Sequence, residues 1–214
     1  MLEPTERRGY DAQFAALFSI DPGLVIAESD RHAKSIKDVG IGGVIRFDRK
    51  VYVVQKTATY TETNEKYTKD KGYIATELVL FCLATGETHY IEWAEDDGLE
   101  ISFVERKLTK NEMNRRLHDD EGQPFDIDED IDEACEKGWG IMFDRRLYDF
   151  DDWWPARFDS SDGRSHQAYI YEFGSEEVGW LSIEGWKDGK GWDYEGYLSQ
   201  TVSEREVEII SLGH

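Results

Sequence analysis

The chain has 214 residues, with 25 Lys and Arg against 46 Asp and Glu, a formal charge of −21 with histidine neutral. That length allows one large domain or two small ones, and a content of 39% hydrophobic and 13% aromatic residues places the chain among those that fold. A surface this acidic repels a polyanion, so nucleic-acid binding through phosphate neutralisation is excluded.

The first residues, MLEPTERRGYDAQF, mix acids into the N-terminus. No apolar run of signal-peptide length follows, and nowhere do about 18 apolar residues succeed one another. The expectation is a cytoplasmic protein with no integral membrane segment. Tyr10, Phe14, Leu17 and Phe18 repeat at helical spacing before Asp21-Pro22-Gly23 stops the pattern. A short N-terminal helix is predicted, its oily face covering an open sheet end or docking on a partner. Residues 1–39 form this arm, 40–113 a first β unit, 114–138 an acidic connector and 139–214 a second β unit.

Within the first unit, segments 43–48, 51–60, 75–83, 87–94 and 99–106 are rich in β-branched and aromatic residues and read as a meander of strands. Ala84-Thr85-Gly86-Glu87, Asp96-Asp97-Gly98 and, in the second unit, Lys187-Asp188-Gly189 supply turns, the two Asp-Gly pairs at positions expected to need a positive φ. Cys82, inside Val-Leu-Phe-Cys-Leu, and Cys135 have no Cys-x-x-Cys companion, so neither a disulfide framework nor a zinc site is expected.

The connector carries ten acids and no Lys or Arg from Asp119 to Glu136. Asp126, Asp128 and Asp130 imitate the start of a calcium loop, but Ile131 stands where the turn glycine belongs and Lys137 where the closing glutamate belongs. The spacing of Ile127, Ile131, Ala134 and Cys135 instead predicts an amphipathic helix over 127–137, ended by Gly138.

Ile141-Met142-Phe143-Asp144-Arg145-Arg146-Leu147-Tyr148 repeats Ile45-Arg46-Phe47-Asp48-Arg49-Lys50-Val51-Tyr52 with five identities in eight positions. Each unit closes on a capping-box pattern, Thr109 to Glu112 and Ser203 to Glu206. The Phe-Asp-Arg pair reads as a repeated turn, with Asp48 and Asp144 bonding nearby backbone N–H groups. The fold class expected is mainly β: two tandem related antiparallel meander units, as small barrels or a two-lobed sandwich, with a short N-terminal helix and a connector helix.

The five histidines form no metal motif, and no nucleophile elbow or phosphate loop occurs. No catalytic residue, metal or cofactor is assigned. Carboxylate pairs such as Glu92 with Glu95 or Glu184 with Glu195 leave a hydrolase as the weakest alternative. Six of the seven tryptophans fall after residue 138. Trp153-Trp154 must point to opposite faces of a strand. Trp153, Trp154 and Trp186 with Asp151, Asp152 and Glu184 form a candidate site for a polyamine or other organic cation, attracted by ring faces and carboxylates together.

The stretch Gly42 to Met113, with Phe-Asp-Arg-Lys-Val-Tyr-Val-Val, Glu77-Leu78-Val79-Leu80 and Tyr90-Ile91-Glu92-Trp93, resembles the bacterial domain-of-unknown-function family 4178, as does the later Trp180-Leu181-Ser182-Ile183-Glu184. The resemblance implies a cytoplasmic, non-catalytic β domain associated with membrane-stress and polyamine functions. The leading expectation is therefore an acidic interaction module for a basic protein partner, with polyamine binding the second reading.

Overall fold

The computed structural model describes residues 24–189 and 191–214, together with Gln13, Ala16, Leu17 and Ile20. Tyr10, Phe14 and Phe18 of the expected N-terminal helix lie outside the described residues, and Leu17 is exposed. Among the described residues there are twelve strands: β1 (Val44–Phe47), β2 (Lys50–Thr63), β3 (Asp70–Cys82), β4 (Thr88–Asp96), β5 (Gly98–Thr109), β6 (Leu117–Asp119), β7 (Ile141–Phe143), β8 (Arg146–Ser160), β9 (Ser165–Ser175), β10 (Gly179–Asp188), β11 (Gly191–Thr201) and β12 (Glu208–Ser211). Two α-helices are described, α1 (Lys110–Arg116) and α2 (Ile127–Lys137).

Hydrogen bonding runs in the order β12-β1-β2-β3-β4-β5-β11-β10-β9-β8-β7-β6, and β2 pairs again with β8. That last pairing, from Ala58 opposite Ser160 to Glu62 opposite Ala156, closes β2–β5 and β8–β11 into one eight-stranded antiparallel barrel. The expectation of two small barrels or a two-lobed sandwich is corrected here. Four strands from each half share a single wall, because strands as long as 15 residues leave β2 and β8 with edges beyond the β1 and β7 hairpins that only each other can pair.

Local chemistry sets the connections. Asp48 and Arg49, with φ of 45° and 61°, join β1 to β2, and Asp144 and Arg145, at 53° and 66°, join β7 to β8. Two consecutive positive φ values make the two-residue hairpin whose twist suits the strands. The Asp144 carboxylate does not bond backbone as expected; it accepts from Arg116 Nε at 2.6 Å. Gly189 takes the positive φ expected of it, whereas Gly98 does not. Both capping boxes form: Thr109 N–H donates to Glu112 Oε2 at 3.1 Å and Ser203 N–H to Glu206 Oε2 at 2.9 Å.

Helix α2 occupies the predicted residues. Asp126 caps it, Oδ1 accepting from Asp128 N–H at 3.0 Å, and Gly138 ends it at φ 67°. The aspartates that imitate a calcium loop are thus consumed by the helix start. Ile127, Ile131, Ala134 and Cys135 are buried against Phe173 of β9 and Ile183 of β10, in a core completed by Ile141, Phe143 and Leu117. A second core lies over the other half, where Ile45, Phe47, Val207, Ile209 and Ile36 cover Leu78, Leu80 and Ile91. These two cores sit between the barrel wall and its outer cover. The inside of the wall is lined differently, by Tyr60, Trp154, Phe158 and Ile170 among five alanines, Ala58, Ala75, Ala94, Ala156 and Ala168.

Candidate functional site

Alternation along the strands decides which residues reach the lumen. On β3 the inward phase is Tyr73, Ala75, Glu77 and Val79; on β4 it is Tyr90, Glu92 and Ala94; on β10 it is Trp180, Ser182, Glu184 and Trp186. Small alanines facing large rings leave space. One cavity of about 270 Å³ results, and a second recess of about 640 Å³ lies at the other end, with Glu77 and Tyr197 shared by both as a waist.

The smaller cavity is lined by Glu77, Glu92, Glu172 and Glu184, with Glu100 and Asp151 at its rim, and among the described residues by no Lys, Arg or His. Tyr73, Trp180 and Tyr197 supply its aromatic walls. Glu77 stands directly opposite Glu92 across β3–β4, and Glu184 opposite Glu195 across β10–β11. Like charges at such register positions oppose one another. Glu77 is 8% exposed and Glu184 5%.

Burial dominates the electrostatics of these carboxyls. It pushes the Glu77 carboxyl up to about 7, Lys107 pulling the other way, and the Glu172 carboxyl up to about 7 against the hydrogen bond from Trp154. Glu92 is pushed up to about 8 by burial, with Glu172 and Glu77 adding to the rise. Glu184 is raised well above the carboxylate range by burial and by Glu77 and Glu92, although Tyr60 hydrogen-bonds it. Glu184 Oε2 and Trp186 Nε1 have no hydrogen-bond partner among the described residues. Trp154 Nε1 donates to Glu172 Oε2 at 3.2 Å.

The wider recess is of another character. Lys107 pairs there with Glu195 at 2.7 Å, and Lys56 and Arg164 with Asp162 at 2.8 and 3.0 Å, while Lys187 adds a further positive charge. Negative charge without a counterion is therefore concentrated at the smaller cavity.

Of the six residues expected to form a cation site, the structure brings four to the lumen. Glu184, Trp154 and Trp186 line its interior, and Asp151 stands at the rim. Asp152 and Trp153 are not with them. Asp152 pairs with Glu172 just past a register shift but is exposed, its Oδ1 accepting from Trp153 N–H at 2.8 Å, and Trp153 points to the outer face. Sequence reasoning missed Glu77, Glu172, Tyr60, Tyr73 and Tyr197, and named Glu92 only in a pair with Glu95. The signal was present: Glu77, Glu92 and Glu172 each interrupt an apolar strand run in phase with Tyr or Ala, where a solvent-facing glutamate would be in phase with polar residues.

Among the described residues, no group of three or more His, Cys, Asp or Glu side chains is placed to hold a metal ion, and no helix is long and apolar enough to cross a membrane. Burial pushes the Cys135 thiol up to about 12, so it is not an activated nucleophile. Comparison with family models, with curated proteins and with solved structures finds no match to this chain.

Proposed function

We propose that this protein binds a small organic cation bearing N–H donors, a diamine or polyamine, inside the barrel. The observation that carries the reading is the Glu184 carboxyl: buried, in a cavity whose charged lining is wholly acidic among the described residues, and with Oε2 unpartnered. An ammonium group there would donate to Glu184 and its neighbours while Tyr73 and Tyr197 offer ring faces. Three carboxyls held between about 7 and 8 are partly neutral at physiological pH, and an entering cation would drive their protons off. Affinity should therefore rise with pH.

Calorimetry with spermidine and putrescine tests this. The expected result is saturable binding whose heat depends on the buffer's ionisation enthalpy near pH 7, weakened about tenfold or more by Glu184→Gln. Heats equal to those of sodium chloride at matched ionic strength would refute it.

We further infer that the two halves are copies of one ancestral unit. The strand order supports it, since exchanging β1–β6 with β7–β12 leaves the order unchanged, and so do the two matching Asp-Arg turns. On that reading Glu77 and Glu92 from one copy and Glu172 and Glu184 from the other converge on a shared cavity. An acidic surface docking on a basic protein, in the cytoplasm and in a membrane-stress setting, is supported by the charge of −21 but by no particular patch among the described residues.

A further inference from the structure

A second recess lies on the outer face of the same wall, separated from the lumen by the thickness of the sheet. Trp153 of β8, Tyr169 and Tyr171 of β9, and Trp192 and Tyr194 of β11 all take the outward phase. Strand β10 runs between β9 and β11, and its outward position at this level is Gly185, opposite both Tyr169 and Tyr194 in register. The rings leave little room there for a side chain. A Cβ at Gly185 would stand 3.0 Å from Tyr194 Cε1 and 3.6 Å from Trp192 Cε3.

The rings are set at angles that enclose a volume and do not fill it. Trp153 stacks on Tyr169 at 5.6 Å with 25° between planes, and Trp192 meets Tyr169 nearly edge-on at 5.5 Å and 68°. Helix α2 closes the remaining side with Asp132 and Glu136, and Asp132 Oδ1 accepts from Tyr171 Oη at 2.9 Å. The recess measures about 180 Å³, and among the described residues no Lys or Arg lines it. Trp153, Tyr169 and Trp192 are only half-buried, so they are reachable from solvent.

Ring faces carry negative potential and hydrogen-bond poorly, so such walls favour a cation with no N–H to satisfy. That is the reverse of the lumen, whose carboxyls favour an ammonium with donors. We propose that the outer recess binds a small molecule ending in a trimethylammonium group, of the choline type. The two acids add a selection: a zwitterion that carries its own carboxylate close to the ammonium meets Asp132 and Glu136 unfavourably.

The test uses the full chain, titrated with choline and followed by tryptophan fluorescence and calorimetry. Choline should bind saturably, glycine betaine about tenfold more weakly, and the neutral isostere 3,3-dimethylbutanol far more weakly than either. Trp192→Leu should lose about tenfold or more in choline affinity, while Glu184→Gln leaves it unchanged. That last variant separates this site from the lumen, since it affects spermidine alone if both readings hold. If Trp192→Leu fails to fold, the isostere comparison on the unaltered protein decides. Equal binding of choline and dimethylbutanol, choline binding that Glu184→Gln abolishes, or a trimethyllysine peptide saturating where choline does not, would each overturn the assignment.

Discussion

Glu77→Gln isolates the energetic consequence of placing a carboxyl inside the barrel. Glu77 is 8% exposed, and burial pushes it from the ordinary 4.5 up to about 7. In the unfolded chain it ionises near 4.5, so between those values the folded state holds more protons than the unfolded one, and stability falls as pH rises. The stability that the protonated form contributes is fully present below pH 4.5 and gone above pH 7. A rise from 4.5 to about 7 corresponds to about 3 kcal/mol. Most of this, about 2–3 kcal/mol, is lost between about pH 5 and about pH 8.5. For a chain of this size that is about 5–10 °C in melting temperature. Glutamine keeps the shape and cannot ionise. The wild type should therefore lose that much more than Glu77→Gln when melting is followed by circular dichroism at about pH 5 and then at about pH 8.5. Comparing slopes cancels the background repulsion of a chain at −21, which is common to both proteins. Parallel pH profiles for the two proteins would show that Glu77 ionises freely when folded and that the lumen is not a low-dielectric site.

Three further outcomes are expected. Phe173→Ala, in the core beneath α2 and fully buried, should cost about 3–5 kcal/mol in urea unfolding. Gly196→Ala should cost about 1–3 kcal/mol, because the new Cβ meets Met113 Sδ at 2.5 Å and Leu108 Cβ at 3.3 Å where α1 lies on β11. Asp126→Ala removes the cap of α2 and should cost about 1 kcal/mol, with amide exchange faster in the first turn of that helix than elsewhere.

How far the sequence could be read differs from element to element. Strand positions and α2 were legible because their signals are local: alternation, the i, i+4, i+7, i+8 apolar spacing, Asp126 before the helix and Gly138 after it. The barrel was not, because closure depends on Tyr60 finding Phe158 and Thr59 finding Asp159 across about a hundred residues, and pairing between distant strands leaves no trace in a local pattern. The site was half legible for the same reason. Trp154 and Glu184 attract attention by residue type. The opposite facing of Trp153 and Trp154 follows from their adjacency, yet which face becomes the lumen depends on closure, and Glu77, Glu92 and Glu172 become unusual only once the strands carrying them curl inward.

The arrangement of the apolar groups explains how a lumen so rich in carboxyls can persist. Desolvating Glu77, Glu92, Glu172 and Glu184 opposes folding, so the stabilisation must come from elsewhere. It comes from outside the barrel, where α2, β6 and β7 cover one half and β1, β12 and the turn at Ile36–Asp38 cover the other, each over a wall face of Leu, Ile and Phe. Binding chemistry and fold stability are thereby placed on opposite faces of the same strands. On β10, Ile183 serves the outer core and Glu184, the next residue, serves the cavity. A strand's period of two permits that separation without any additional element, and it leaves the lumen free to hold charge that a single central core could not.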